Sequence, residues 1–174
     1  MSQEDMVDFR KRIDHIDMPA MTCRPIKKKT EDESIHDLWK LAQDPNKCIL
    51  GLYIQQQTPE LIGRISLFDF NPRNKSAELG YWLLDEYVGH GYMSFALKFL
   101  CSSLLNNSLI LNKIYAQTAE FNTRSVKMLE TIGFCKDGVL REHHEKNGIL
   151  YADYIYSLTT NDINNICITY RNNQ

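Results

Sequence analysis

The strongest constraint on this chain is a change of hydrophobic period near residue 90. Ser76 to Leu84 reads as a strand, whereas after Gly89-His90-Gly91 the residues Met93, Ala96, Leu97, Leu100, Leu104 and Leu105 recur at helical spacing. The unit is a strand, a Gly-x-Gly turn and a helix with one buried face. Glycines there let the backbone turn tightly, and the amides of Gly89, His90, Gly91, Tyr92 and Met93 are left at a helix start with no intrahelical partner. Such amides, with the positive end of the helix dipole, form an anion site. The spacing is neither a Walker A loop nor a Gly-x-Gly-x-x-Gly turn, because Met93 and Ser94 stand where further glycines or a lysine are needed.

The flanking segments supply the partners for that unit. Ser34 to Gln43 places Ile35, Leu38, Trp39 and Ala42 on one helical face, and Asp44-Pro45-Asn46 ends it. Cys48 to Gln55 and Leu61 to Phe70, rich in β-branched and aromatic residues, flank Gln56 to Glu60 as an antiparallel hairpin. Asn71 to Asn74 is a turn before the strand at Ser76. Lys113 to Thr118 alternates as a strand, Asn122 opens a helix bearing Val126, Leu129 and Ile132, and Gly133 stops it. Phe134 to Glu145 and Ile149 to Leu158 flank Asn147-Gly148, a strong short-range hairpin signal. The expected class is α/β (α+β): a mixed, mostly antiparallel sheet of about seven strands flanked by helices.

With 174 residues, the chain is expected to form one domain, with residues 1–20 as an N-terminal arm and 159–174 as a C-terminal tail. Basic and acidic side chains number 20 and 22, a net of −2, so there is no general electrostatic drive toward nucleic acid. Lys27-Lys28-Lys29 is followed at once by Glu31, Asp32 and Glu33 and reads as the solvated start of a helix. Apolar runs such as Ile49 to Ile54 stop well short of the roughly 20 residues of a membrane span. The charged start, with Glu4, Asp5 and Asp8, lacks the apolar stretch of a secretory signal, and a cytoplasmic location is expected. Five scattered cysteines, Cys23, Cys48, Cys101, Cys135 and Cys167, indicate neither a disulfide framework nor a zinc site and are expected to be mostly small buried apolar residues.

Ala77-Glu78-Leu79-Gly80-Tyr81-Trp82-Leu83 followed by Tyr87 to Ser94 resembles motif A of the GNAT superfamily of acyl-CoA N-acyltransferases. Asn122-Thr123-Arg124-Ser125, Gly133-Phe134, Asp137 to Arg141, Asn147-Gly148 and Asp153-Tyr154 extend the resemblance, which is most similar to the RimJ/RimL-like ribosomal-protein N-terminal acetyltransferases. Cys23-Arg24-Pro25 resembles the start of the family's first strand, so about Thr22 to Leu158 is covered. The sequence departs from the family pattern at Val88 and Met93 in the loop. Leu129 stands where many relatives carry a tyrosine general acid.

The resemblance implies acetyl-CoA as cosubstrate, no metal, and direct attack of an amine on the thioester. Val88, Gly89, His90, Gly91, Tyr92, Met93 and Ser94 would hold the pyrophosphate, and a strand amide near Leu83 or Leu84 would meet the oxyanion. Asn122 would hydrogen-bond the cofactor, or serve only as a helix N-cap. Ser125 would bind near the sulfur and protonate the leaving thiolate, or be an exposed helix residue. Glu78 would accept the amine's proton, or pair structurally with Arg64 or Lys75. His143 and His144, adjacent in a strand, point to opposite faces and cannot simply share an ion. Asp153 and Arg141 would pair across the last hairpin or shape the acceptor cleft.

The implied acceptor is a protein N-terminal amine, with a polyamine or other small amine as the alternative. Glu31, Asp32, Glu33, Asp37, Glu142 and Glu145 supply negative charge for either. A CoA-binding module without turnover is the reading from another class, kept alive by Val88, Met93 and Leu129. Nucleic acid and membrane are not expected partners, and the resemblance admits a homodimer.

Overall fold

In the computed structural model, the chain is described at residues 2–13, 30, 32, 33, 36, 37, 40, 43–106 and 110–163. The expected helix at Ser34 to Gln43 has helical backbone at 36, 37, 40 and 43, while Ile35, Leu38, Trp39 and Ala42 lie outside the described residues. So do Cys23-Arg24-Pro25, Lys27 to Lys29, Glu31, Cys167 and residues 164–174 of the expected tail.

Six strands form one sheet: β1 (Cys48–Ile54), β2 (Glu60–Asn71), β3 (Ser76–Leu83), β4 (Lys113–Ala119), β5 (Cys135–Lys146) and β6 (Ile149–Thr159). Their spatial order is β1-β2-β3-β4-β6-β5. All neighbours are antiparallel except β3 and β4, which need a crossover because they run parallel. That crossover is helix α2 (Tyr92–Leu105); α1 (Gln3–Arg12) precedes the sheet in sequence and α3 (Thr123–Thr131) follows β4. About seven strands were expected. The first of them falls on residues that are not described.

The two faces of the sheet carry different layers. Met93, Leu97, Cys101 and Leu105, spaced by four along α2, are buried in a core with Leu129 of α3, Ile65 and Leu67 of β2, Ala77 and Leu79 of β3, and Ile114 and Ala116 of β4. α1 covers part of the opposite face, where Phe9 and Ile13 cluster with Leu61, Leu84, Trp82 and Tyr87. Ser2 and Asp5 form a capping box at its start, and Arg12 fastens its end by donating to Leu61 O at 3.0 Å and to Glu86 at 2.7 Å. The expected arm thus contains a docked helix.

Local chemistry ends the other elements. At the end of α3, Phe134 N–H bonds Leu129 O and Gly133 N–H bonds Glu130 O, with Gly133 at φ 101, which is a Schellman stop. Asn147 and Gly148 both have positive φ and join Lys146 to its cross-strand partner Ile149, the type I′ arrangement of a tight hairpin. In the same hairpin, β5 advances four positions from Leu140 to His144 while β6 moves two, from Asp153 to Tyr151. This bulge, with Glu142 at φ 52, turns His144 inward. Of the three described cysteines, Cys101 is buried as expected and Cys48 is half-buried, whereas Cys135 is exposed, since β5 is an edge strand with little covering it. Among the described residues, no helix is long and apolar enough to cross a membrane.

Candidate active site

β3 and β4 pair only through Ser76–Lys113, Ala77–Ile114 and Glu78–Tyr115. Beyond those three pairs the strands part, and a cavity of about 840 Å³ opens between them. β3 lines it with Leu79 to Leu83, β4 with Ala116, Gln117 and Thr118, the loop and α2 with Val88, Gly89, Gly91 to Ser94, and α3 with Asn122 to Ser125. Asp85, Phe121, Lys127, Met128, Thr131 and Lys146 add to the wall.

Hydrogen bonding along β3 decides which amides face that opening. Leu84 N–H donates to Ile62 O at 2.9 Å, so even-numbered residues of β3 bond toward β2 and odd-numbered ones toward β4. Leu83 therefore directs its N–H at the parted edge. Leu84 does not: its amide is committed to Ile62, its side chain is buried in the α1 cluster, and it is absent from the cavity wall. Of the two expected amides, that of Leu84 is therefore excluded and that of Leu83 faces the opening.

At the start of α2, Gly89 has φ 88 and Gly91 φ 79, conformations that strain any residue with a Cβ. A Cβ at either glycine would meet nothing within 4 Å, so the demand is on backbone and not on space. Gly91 is the helix N-cap in left-handed geometry; its carbonyl accepts from Phe95 N–H at 3.0 Å, while the amides of Tyr92, Met93 and Ser94 precede the first intrahelical bond. Val88 lines the cavity, but its N–H is already bonded to Asp85 O at 3.2 Å. His90 is exposed, stacks on Tyr92 with ring centroids 5.7 Å apart, and is not part of the wall. Met93 fills the core with its side chain, so only its backbone faces the loop's concavity.

α3 begins with Asn122, whose Oδ1 accepts from Ser125 N–H at 3.2 Å. Both residues line the cavity, so capping fixes Ser125 where the split opens. Ser125 Oγ lies 2.8 Å from Tyr81 Oη of β3, with either hydroxyl able to donate. Burial pushes the Tyr81 phenol up to about 12, against a smaller lowering by the bond to Ser125, so it is neutral throughout the working range of pH. The family resemblance assigns no role to Tyr81. Its odd-numbered position places it on the face of α2 and α3, but its meeting with a residue 44 positions away is a tertiary fact.

Glu78 sits on the other face. Ala77 and Leu79 pack toward α2 and α3, so Glu78, Gly80 and Trp82 project to the α1 side. The proposed base and the proposed acid are thus on opposite faces of one sheet; Ser125 lines the cavity, whereas Glu78 lies at the last paired register of β3 and β4 and is not part of the cavity wall. Of the expected structural partners of Glu78, Arg64 is instead opposite Trp82, while Glu78 is opposite Phe68.

On the α1 face of β4 and β6, Gln117 Nε2 donates to Asp153 Oδ2 at 2.7 Å, and His144 Nδ1 lies 3.3 Å from Asp153 Oδ1. Both His144 and Asp153 are buried. The expected pairing of Asp153 with Arg141 is corrected: the bulge brings His144 to Asp153 and leaves Arg141 exposed. His143 is exposed, consistent with opposite faces for the two histidines. Glu142 and Glu145 are exposed on the hairpin, and Glu145 Oε1 accepts from Gly148 N–H. Among the described residues, no group of three or more His, Cys, Asp or Glu could hold a metal ion.

Comparison with known proteins agrees with this geometry. The family model described as an acetyltransferase (GNAT) domain matches residues 2–135. Uncharacterized N-acetyltransferase p20 of Bacillus licheniformis is 35% identical over 105 residues, covering 60% of this chain and 58% of that protein. Ribosomal-protein-serine acetyltransferase of Escherichia coli (strain K12) is 34% identical over 83 residues, covering 48% and 46%. The chain spans about half the length of these relatives. The crystal structure of spermidine N-acetyltransferase from Vibrio cholerae in complex with CoA and spermine superposes with a TM-score of 0.80 at 20% identity, over 94% of each chain. That likeness concerns the fold.

Proposed function

The chain belongs to the GNAT acetyltransferase family, and on that premise we propose that it transfers an acetyl group from acetyl-CoA to a primary amine, a protein N-terminal α-amine by preference. The observation that carries this reading is the parted β3–β4 edge, with the unpartnered amides of α2 at one end and the Tyr81–Ser125 hydroxyl pair beside it. The positive-φ glycines and first-turn amides fit a pyrophosphate, which needs several N–H donors and a close backbone approach. Acetyl-CoA supplies the activated acyl group.

Each of the chain's own groups then has a role. Leu83 N–H, aimed at the opening, stabilises negative charge on the thioester oxygen. Ser125, held by Asn122 and in contact with the neutral Tyr81 phenol, delivers a proton to the departing sulfur. Glu78, on the α1 face, accepts the amine's proton through water. Asn122 contributes chiefly by fixing the turn that presents Ser125.

Support for a protein N-terminus comes from the Escherichia coli relative, whose name specifies ribosomal-protein serine and which is 34% identical over 83 residues. Release of CoA thiol, measured over short peptides with free N-termini, spermidine and simple alkylamines, tests the reading. Peptide turnover is expected. Turnover on polyamines alone would move the acceptor to that class, and tight acetyl-CoA binding without turnover on any amine would make the chain a binding module.

A further inference from the structure

The α1 face of the sheet holds two buried hydrogen-bond donors that the chemistry above does not use. Arg64 of β2 and Trp82 of β3 are direct cross-strand partners, so their side chains stand side by side on the face that carries Glu78. Arg64 Nε and Trp82 Nε1 are both buried, and neither meets an acceptor among the described residues. No carboxylate among those residues pairs with the guanidinium, and burial lowers its pKa with nothing to counter it. A buried donor without an acceptor is destabilising, and more so when it is charged. Two such donors next to each other are the signature of a place that an oxygen from outside fills.

Their position defines which oxygen. Trp82 lines the cavity at the open end of the β3–β4 split, whereas Glu78 marks the closed end. Four residues of strand separate them, about 13 Å at roughly 3.3 Å per residue. Across the split, Gln117 and the buried Asp153 carboxylate present acceptor character, so the face is polarised. The attacking amine must reach the thioester carbon beside Leu83 N–H, next to Trp82, with its proton leaving toward Glu78 through water; an oxygen on the first few residues then suits Arg64 and Trp82.

We propose that Arg64 and Trp82 form the specificity subsite for the acyl acceptor, binding a backbone carbonyl or carboxylate oxygen within the first few residues of an amino-terminal peptide. The inference rests on the amine-acetylation reading above and deepens it. A polyamine brings only cations and hydrocarbon to this place. It leaves both donors unpaired and sets its own charge against the guanidinium.

The test compares kcat/KM for a hexapeptide with a free N-terminus and alanine at residues 2–4, the same peptide with one glutamate there, and spermidine. In the full chain, Arg64→Gln is expected to lower the ratio of peptide to spermidine by about tenfold or more, as one charge-assisted hydrogen bond dictates, mainly through KM for the peptide. Arg64→Lys should recover part of that ratio, and Trp82→Phe should lower it by a smaller factor. A larger loss for the glutamate peptide identifies a carboxylate as the bound oxygen; an equal loss for both identifies the carbonyl. Should Arg64→Gln fail to fold, Arg64→Lys and Trp82→Phe carry the comparison. Peptide turnover with the ratio unchanged in every folded variant overturns this subsite alone, whereas a wild-type chain that acetylates spermidine and no peptide overturns both it and the peptide reading.

Discussion

Tyr81 of β3 and Ser125 of α3 meet hydroxyl to hydroxyl at 2.8 Å, on the helix side of the sheet and at the mouth of the β3–β4 split. Ser125→Ala is expected to lower kcat by about a hundredfold or more, within the range of about 10²–10⁴ that general acid catalysis contributes, with binding of acetyl-CoA little changed. Tyr81→Phe should give a smaller loss in the same parameter. Because burial holds the Tyr81 phenol at about 12, its neutral form persists as pH rises, and no descending limb due to this residue should appear in a kcat profile below about pH 11. A Tyr81→Phe enzyme as fast as wild type would remove the phenol from the mechanism.

Gly91→Ala tests the anion cradle. With φ at 79, an L-residue in this position costs about 1–2 kcal/mol of backbone strain, although nothing lies within 4 Å of the added methyl. Relief of that strain tilts the first-turn amides of α2, so calorimetry should record weaker binding of CoA. Gly91→Glu, which adds a negative charge at the same point, should weaken it further. Equal affinity for wild type and Gly91→Glu is the result incompatible with a pyrophosphate at this loop.

Leu83→Pro deletes one N–H. That amide faces the parted edge, so no ladder bond to β2 is lost, and a strand position of this kind tolerates proline. A loss of about 10²–10³ in kcat is expected, as for removal of one oxyanion donor, with CoA affinity retained. Circular dichroism establishes that the sheet is intact. A kcat within threefold of wild type would show that the oxyanion is met elsewhere.

Phe9 is 1% exposed and anchors α1 against Leu61 and Leu84. Phe9→Ala should cost about 3–5 kcal/mol, the range for emptying a buried aromatic site. Urea denaturation measures it. A cost below about 1 kcal/mol would mean that α1 is not held against the sheet by this side chain.

Lys113 Nζ donates to Asp137 Oδ2 at 2.8 Å and holds that carboxyl below the usual carboxylate range. A lowered folded pKa stabilises the protein above the unfolded value, near 4, and the contribution is lost as pH falls through the folded value. Both side chains are more than one-third exposed, so the pair is screened and its worth is at most about 1 kcal/mol. Lys113→Met should therefore lower Tm slightly at pH 7 and not at pH 2, with the difference shrinking in 1 M salt. A Tm difference that is the same at both pH values would point to packing instead.

Much of this architecture is legible in the chain because local rules operate over short spans. Asn147-Gly148 fixes a hairpin through two positive-φ residues, Gly133 ends α3, and the four-residue spacing of Met93, Leu97, Cys101 and Leu105 marks the buried side of α2. The loop at Gly89 to Ser94 was recognisable for the same reason: the glycine geometry and the orphan amides are properties of consecutive residues. Reading Leu84 as an equal of Leu83 failed because the direction of a strand amide depends on which neighbour the strand pairs with. Pairing Asp153 with Arg141 failed because a bulge of two extra residues on β5 changes which side chain turns inward.

Sequence by itself determined most of the elements, the glycine turn before α2 and the side-chain alternation along the regular stretches of strand, since these follow from hydrophobic period and from the φ angles that glycine and asparagine permit. Tertiary structure alone decided where β3 and β4 part, that Tyr81 reaches Ser125, that His144 and Gln117 converge on Asp153, and that Arg64 and Trp82 are left side by side without acceptors. Those facts depend on register between strands far apart in the chain. Register is set by packing both faces of the sheet at once, a cooperative condition that no short window of residues contains.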